Sequence, residues 1–335
     1  MTGRSRFIRD VASVCALALL AACATARSPV IGAPDVDHHQ HVFSPEMAAM
    51  LSSPERPFPA TTASDVVALL DEAGIGRAVL LSVGYLYESP SRNFPDEAAR
   101  LRRENDWTAA QAALHPGRLV AFCAVNPLKD DAIPEIERCA RDPRFGKGLK
   151  MHFGNSDVQL EVPGHVERLR KVFRFANERR MALVIHLRAS TSRKRPYGTE
   201  QARVFIEELL PLVPDVTVQV AHLAGTGPGF EDPPSHEVLA AFAKAFQRRD
   251  PRVRNVWFDV ASNVHPENPP AINRLILQRI REIGLARILY GTDSSAGGNL
   301  TPAESWKAFS ELPWRRGELA RIAANVAPYL RKEAP

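Results

Sequence analysis

Asp37-His38-His39-Gln40-His41, continuing directly into Val42-Phe43-Ser44, closes a short apolar segment over residues 34–41. In an extended strand the side chains at i and i+2 share one face, so His39 and His41 direct two imidazoles at a single point, with Asp37 one pleat behind. The turn after this strand separates two parallel-sheet architectures. A doubly wound dinucleotide-binding sheet carries a glycine-rich turn after its first strand, and the run from His41 to Ser44 contains no glycine. With 10 histidines in 335 residues, an accidental His-x-His is unremarkable. The motif gains meaning only if later strands supply matching ligands.

Working outward, seven further apolar runs occur at 78–83, 119–125, 148–153, 182–187, 216–223, 253–260 and 286–290. Between them lie amphipathic stretches at 63–73, 97–114, 132–141, 163–180, 199–211, 236–248 and 269–283, with apolar residues near a 3.6-residue spacing and charges opposite. Helices at 303–309 and 317–330 finish the chain, and the proline-rich pieces at 53–59, 228–234 and 266–270 read as loops. Strand and helix alternating eight times over this length predict an α/β fold, a (β/α)8 TIM barrel with its chemistry at the C-terminal ends of the strands.

The polar residues at those ends are not random. The first strand ends in His39 and His41, the fourth carries Lys150 and His152, the fifth ends in His186, the sixth in His222 and the eighth in Asp293. Zinc and similar divalent ions take imidazole nitrogen and carboxylate oxygen, and a catalytic site keeps about three protein ligands plus an open position. His39, His41, His186 and Asp293 supply such a set. A water on the ion ionises near pH of about 7 and becomes a nucleophile, and His222 is placed to orient it or shuttle its proton. For any one of these histidines the plain alternative is a ring satisfied by a backbone carbonyl at the barrel edge. Four strand ends agreeing is much harder to obtain by chance.

The start of the chain has a different character. Arg4, Arg6 and Arg9 precede an apolar stretch at 11–22 that is too short to span a bilayer and suits a secretory leader. Leu20-Ala21-Ala22-Cys23 resembles a bacterial lipobox, which makes 1–22 a lipoprotein signal peptide, Cys23 the lipidated residue, 23–33 a tether and 34–335 the enzyme domain. Ala24 in place of an aspartate resembles the outer-membrane sorting pattern, so the expected location is the periplasmic face of the outer membrane, with the lipid as the membrane contact. A net charge of +5 without a basic stripe gives no support for nucleic-acid binding. Cys123 and Cys139 remain in the folded body; an oxidising compartment permits their pairing, but their number does not resemble a disulfide framework, and Cys123 reads as a buried apolar residue.

Taken together, the first-strand His-x-His, the strand-end His186 and His222, and Asp293 resemble the amidohydrolase superfamily, in particular its amidohydrolase-related branch that includes aminocarboxymuconate semialdehyde decarboxylase. The resemblance runs from Val36 to about Leu330, and the ending Asn325-Val326-Ala327-Pro328-Tyr329-Leu330 is similar to that family's closing helix. It implies metal ligation by His39, His41, His186 and Asp293, and a catalytic or second-metal role for His222. Ser294 and Ser295 stand where relatives carry an aromatic and a proline, so the pocket beside Asp293 is expected to differ. Lys150 falls on the strand whose lysine, in binuclear members, is carbamylated and bridges a second ion; the role favoured for it here is substrate contact.

The function expected is metal-dependent hydrolysis, with one divalent ion, zinc first, acting on an ester, lactone or amide of a small anionic substrate. Non-oxidative decarboxylation of an aromatic or muconate-type acid is the runner-up, because the same ligands serve both, and a metal-free binding lipoprotein is the alternative from another class. Lys150, His152 and Arg188 offer charge-assisted hydrogen bonds to an anion, although a loop salt bridge explains Arg188 equally well. Tyr85 and Tyr87 come just after the second strand and line the pocket or cover the rim. Arg193-Lys194-Arg195 reads as a solvated loop rather than a lid. A homodimer is compatible with the sequence.

Overall fold

The computed structural model of the chain describes residues 32–227 and 232–331. The leader, Cys23 and the tether as far as residue 31 lie outside the described residues. Eight strands run parallel in sequence order: β1 Val36–Gln40, β2 Arg77–Leu81, β3 Leu119–Ala124, β4 Phe145–His152, β5 Ala182–His186, β6 Val218–Val220, β7 Val256–Asp259 and β8 Ile288–Leu289. They are buried on both faces, as parallel strands covered by helices must be. The His38 N–H donates to Tyr290 O (3.0 Å) and the Asp293 N–H to His39 O (2.8 Å), which joins the two ends of the sheet into a barrel.

That seam is built by the first motif itself. Asp37 is fully buried and accepts hydrogen bonds from the Thr292 N–H (3.0 Å), the Thr292 hydroxyl (2.5 Å), the His39 N–H (3.0 Å) and Gln40 Nε2 (2.8 Å). Burial raises its carboxyl to about 6 against these stabilising donors. His38 points away from the site. It donates from Nδ1 to Tyr290 O (2.8 Å) and accepts the Ala327 N–H at Nε2 (3.1 Å), and burial lowers it to about 4.

Helices Ala63–Ala73 and Ala132–Arg141 fall where the periodicity puts them. The C-terminal segment does not. In place of one helix over 317–330, a short helix Glu318–Ala323 gives way to a turn, Pro328–Leu330. Tyr329 then packs against the inward-facing Val79, Leu81, Phe122 and Val184. Val184 precedes His186 on the same strand face, so the tail closes the barrel from the end opposite the histidines. Phe122 fits there because residue 148 is glycine; a Cβ on Gly148 would lie 2.1 Å from the Phe122 ring. Cys123 on β3 and Cys139 on helix Ala132–Arg141 form a disulfide, settling the pairing that the sequence leaves open. Among the described residues no helix is long and apolar enough to cross a membrane.

Candidate metal centre

His41 donates from Nδ1 to Leu81 O (2.5 Å), which leaves its Nε2 lone pair facing inward. Nε2 lies 3.1 Å from Asp293 Oδ1, yet that oxygen is buried and has no hydrogen-bond partner. A ring nitrogen and a carboxylate oxygen meeting at this distance in a buried site are the donor types that a divalent ion takes. Asp293 is held there by its own N–H on His39 O and by Asn299 Nδ2, which donates to the Asp293 carbonyl (2.7 Å) and to Oδ2 (3.2 Å). Its φ of 55° is left-handed, a conformation that costs a non-glycine residue about 1–2 kcal/mol and turns the carboxylate inward. Burial opposes its ionisation, but the facing His41 and the nearby His39 and His222 outweigh that and hold the carboxyl below its ordinary range.

His39 donates from Nδ1 to Asp259 Oδ2 (3.0 Å), so its Nε2 also presents a lone pair, here 3.1 Å from Lys150 Nζ. Burial, with the Lys150 charge added, lowers His39 to about 3, and burial lowers Lys150 to about 8. Ligand atoms of His39, His41 and Asp293 all lie within 4.8 Å of one another, and those of His39, His222 and Asp259 form a second such group. Imidazole nitrogens beside a carboxylate are the donor set a divalent ion requires.

His222 owes its position to an abrupt end of β6. Residues His222, Leu223 and Ala224 take φ of 55°, 49° and 61°, and Asp259 Oδ1 accepts the His222 N–H (2.8 Å) while its ring Nδ1 donates to Ala261 O (2.9 Å). The free Nε2 therefore faces the centre, with the ring 4.6 Å from that of His39. His186 lines the same cavity but stands outside both ligand groups. Its ring stacks on His152 at 3.7 Å and meets His222 edge-on at 5.1 Å; burial, then the neighbouring rings, push His186 well below the ordinary histidine range. His152 accepts the Asn155 N–H at Nδ1 (3.1 Å) and lies 5.2 Å from the Tyr85 ring. Arg188 is not a free cation: Nε and Nη2 bind Asp232 (2.5 and 3.1 Å), and its guanidinium lies 4.7 Å from the centre of the Tyr197 ring. Tyr87 faces away, packed with Phe43 and Met47.

Asp259 is the residue that sequence reading missed. It takes His39 Nδ1, the His222 N–H, Gln219 Nε2 (2.7 Å) and the Ala261 N–H (3.2 Å) at once. The rule applied to the other strands, a polar residue closing an apolar run, also selects Asp259 at the end of Val256-Trp257-Phe258. The resulting cavity of about 240 Å³ has the histidines, Lys150 and Asp293 on one side and Phe43, Phe58, Leu51 and Leu86 on the other. A larger groove of about 690 Å³ runs over the outer helices near Arg203 and Glu237. None of the rim histidines lines it, so we place the chemistry in the smaller, better-furnished cavity.

The amidohydrolase family model matches residues 36–314, and the chain belongs to that family. No curated protein matches it. Among solved structures, it is similar to a probable 2-pyrone-4,6-dicarboxylic acid hydrolase from Acinetobacter baumannii, at 19% identity over 86% of this chain and 96% of that one with a TM-score of 0.57. The 5-carboxyvanillate decarboxylase from Sphingomonas paucimobilis gives 17% identity over 88% and 96% with a TM-score of 0.61. A dihydroxybenzoic acid decarboxylase from a Polaromonas species, solved with manganese and an inhibitor, gives 18% over 87% and 95% with a TM-score of 0.59. At these identities the likeness establishes the barrel.

Proposed function

We propose that the chain is a metal-dependent hydrolase acting on an ester, lactone or amide of a small organic substrate. The observation that carries this is the buried Asp293 Oδ1 facing His41 Nε2 at 3.1 Å, with a His39 nitrogen within ligand-sharing distance of both. His39, His41 and Asp293 would hold a divalent ion, with His186 completing the set. Bound there, the ion lowers the pKa of water and polarises a carbonyl. His222 Nε2, an acceptor because its opposite nitrogen donates to Ala261 O, would take the proton of the attacking water and pass that same proton to the leaving group, while Asp293 would orient the water. Lys150, released from His39 Nε2 when that nitrogen takes the ion, would contact the substrate's negative end.

Decarboxylation needs a firmer grip on a carboxylate. Among the described residues the metal-centre cavity is lined by a single cation, Lys150, and Arg188 outside it is neutralised by Asp232, a weaker grip than a carboxylate to be cleaved would need, which favours hydrolysis. Zinc is the ion first expected from imidazole and carboxylate donors; manganese is the one named for the Polaromonas structure. Metal analysis of the purified protein, an ester and lactone panel, and carbon dioxide release from aromatic acids decide among these. We expect about one ion per chain, lost in His39→Ala and Asp293→Ala, with hydrolysis falling by roughly 10²–10⁴-fold in Asp293→Asn. Carbon dioxide release without ester cleavage would replace this reading with the decarboxylase, and a metal-free protein active on neither would remove both.

A further inference from the structure

The cavity at the metal centre does not end at His186. His152, Asn155, His186 and Thr226 line both it and a second lobe of about 210 Å³, so the two are compartments of one site. Their walls differ in kind. The first has an aromatic and aliphatic face; the second is bounded by Ser190, Thr191, Ser192 and Arg188.

Charge in the second lobe cancels. Arg188 gives two bonds to Asp232 and a third, from Nη1, to Ala189 O (3.2 Å), while Ser235 also donates to Asp232. Taking a carboxylate from a substrate onto Arg188 would require unpairing Asp232, which is itself mostly buried, and a buried charge left without a partner is strongly unfavourable. Of the neighbouring loop cations, Arg195 is paired with Asp157 (2.7 Å), and Arg193 and Lys194 line neither lobe. What the lobe offers is hydroxyl groups. Ser190 Oγ lies 3.2 Å from Ser192 Oγ, and either can donate or accept.

We propose that this second lobe is a specificity subsite for an uncharged, hydroxyl-bearing arm of the substrate, so that the site selects a small ester or lactone with a neutral polar arm over one carrying a further carboxylate. The inference rests on the hydrolase reading for the reacting end but not for the arm.

The test uses the metal-loaded full chain and three matched esters that differ only in the distal arm: hydroxymethyl, methyl or carboxylate. Turnover and calorimetric binding are both measured. The hydroxymethyl compound is expected to exceed the methyl and carboxylate compounds by about tenfold in kcat/KM, the scale of one or two hydrogen bonds. In Ser190→Ala/Ser192→Ala the hydroxymethyl-to-methyl ratio falls toward one, and in Asp232→Asn the carboxylate compound gains relative to the others as Arg188 is released. Retained metal stoichiometry and melting temperature show that each variant is folded. A wild-type preference for the carboxylate arm overturns the proposal, as does an unchanged ratio in the double variant. If no ester is cleaved but binding still prefers hydroxymethyl, the hydrolase reading fails and the subsite stands; no turnover with no binding preference overturns both.

Discussion

At the scale of single residues, the centre depends on which nitrogen of each ring keeps its proton. His41 is fixed by a backbone carbonyl, but His39 is fixed by a side chain, Asp259, which also holds the backbone of His222. A carboxylate behind a ligating imidazole sets its tautomer and raises its basicity, and removing such a partner typically weakens metal binding by about 10–100-fold. Asp259→Asn is therefore expected to lower affinity for a divalent ion by that factor, read by titration against a chelator of known affinity, while Asp293→Asn removes a donor outright. Equal affinity in Asp259→Asn and wild type would mean that His39 needs no help from β7. The same arrangement predicts an acid-labile apoprotein. His38 and His39 titrate near 4 and 3 when folded and near 6.5 when unfolded, so the unfolded chain binds more protons between those values. Their stabilising effect is complete above about pH 6.5 and is lost as pH falls toward the folded values, with His38 alone contributing roughly 3 kcal/mol. Asp37, raised to about 6, acts oppositely, gaining stability as pH falls from about 6 to its unfolded value near 4, and by roughly 3 kcal/mol it offsets about one of the two histidines and leaves a net decline. Urea midpoints of the chelated protein should fall between pH 6.5 and 4; a flat or rising curve there contradicts the assigned protonation.

Among the elements, legibility tracked how local the cause of each structure is. Helix Ala63–Ala73 is bounded as its sequence implies because Thr62 and Asp65 form a capping box and Gly74 takes φ of 70°, all within a dozen residues. His39, His41, His186, His222 and Asp293 were readable for a related reason: each closes an apolar run. By contrast, β6 stops at Val220 and β8 spans only Ile288–Leu289, because the chain bends early to aim His222 and Asp293, and no local residue pattern announces a left-handed run. Residues 205–209 widen into a π-turn inside what the periodicity reads as one helix. The engagement of Arg188 by Asp232, 44 positions later, is likewise invisible in sequence. The clearest long-range element is the tail. Tyr329 donates its hydroxyl to Gln219 Oε1 (2.5 Å), Gln219 Nε2 donates to Asp259 (2.7 Å), and Asp259 holds His39. A buried acceptor left without its donor costs about 1–3 kcal/mol, so Tyr329→Phe should lower unfolding free energy by that amount in urea titrations. No loss of stability would mean that the tail merely fills space.

For the whole molecule, a barrel of this kind gains most of its stability from strand burial, and a covalent link matters only where it restrains the unfolded chain. Cys123 and Cys139 are separated by 16 positions, with Cα atoms 6.2 Å apart. On the chain-entropy view, closing a loop of that size is worth about 3 kcal/mol, so reduction should lower the melting temperature by several degrees without disturbing the candidate metal cavity, which neither cysteine lines. Because cytosolic thiols are kept reduced, the bond also offers a test of the export and Cys23 anchoring that the leader sequence leads one to expect. Protein recovered from the periplasmic side should show no free thiol at these two positions when denatured and alkylated, and two after reduction. Protein retained in the cytoplasm by Cys23→Ala together with leader deletion should show two throughout and melt lower. Two free thiols in the exported form would sink the pairing and, with it, the support that the folded body lends to an oxidising location.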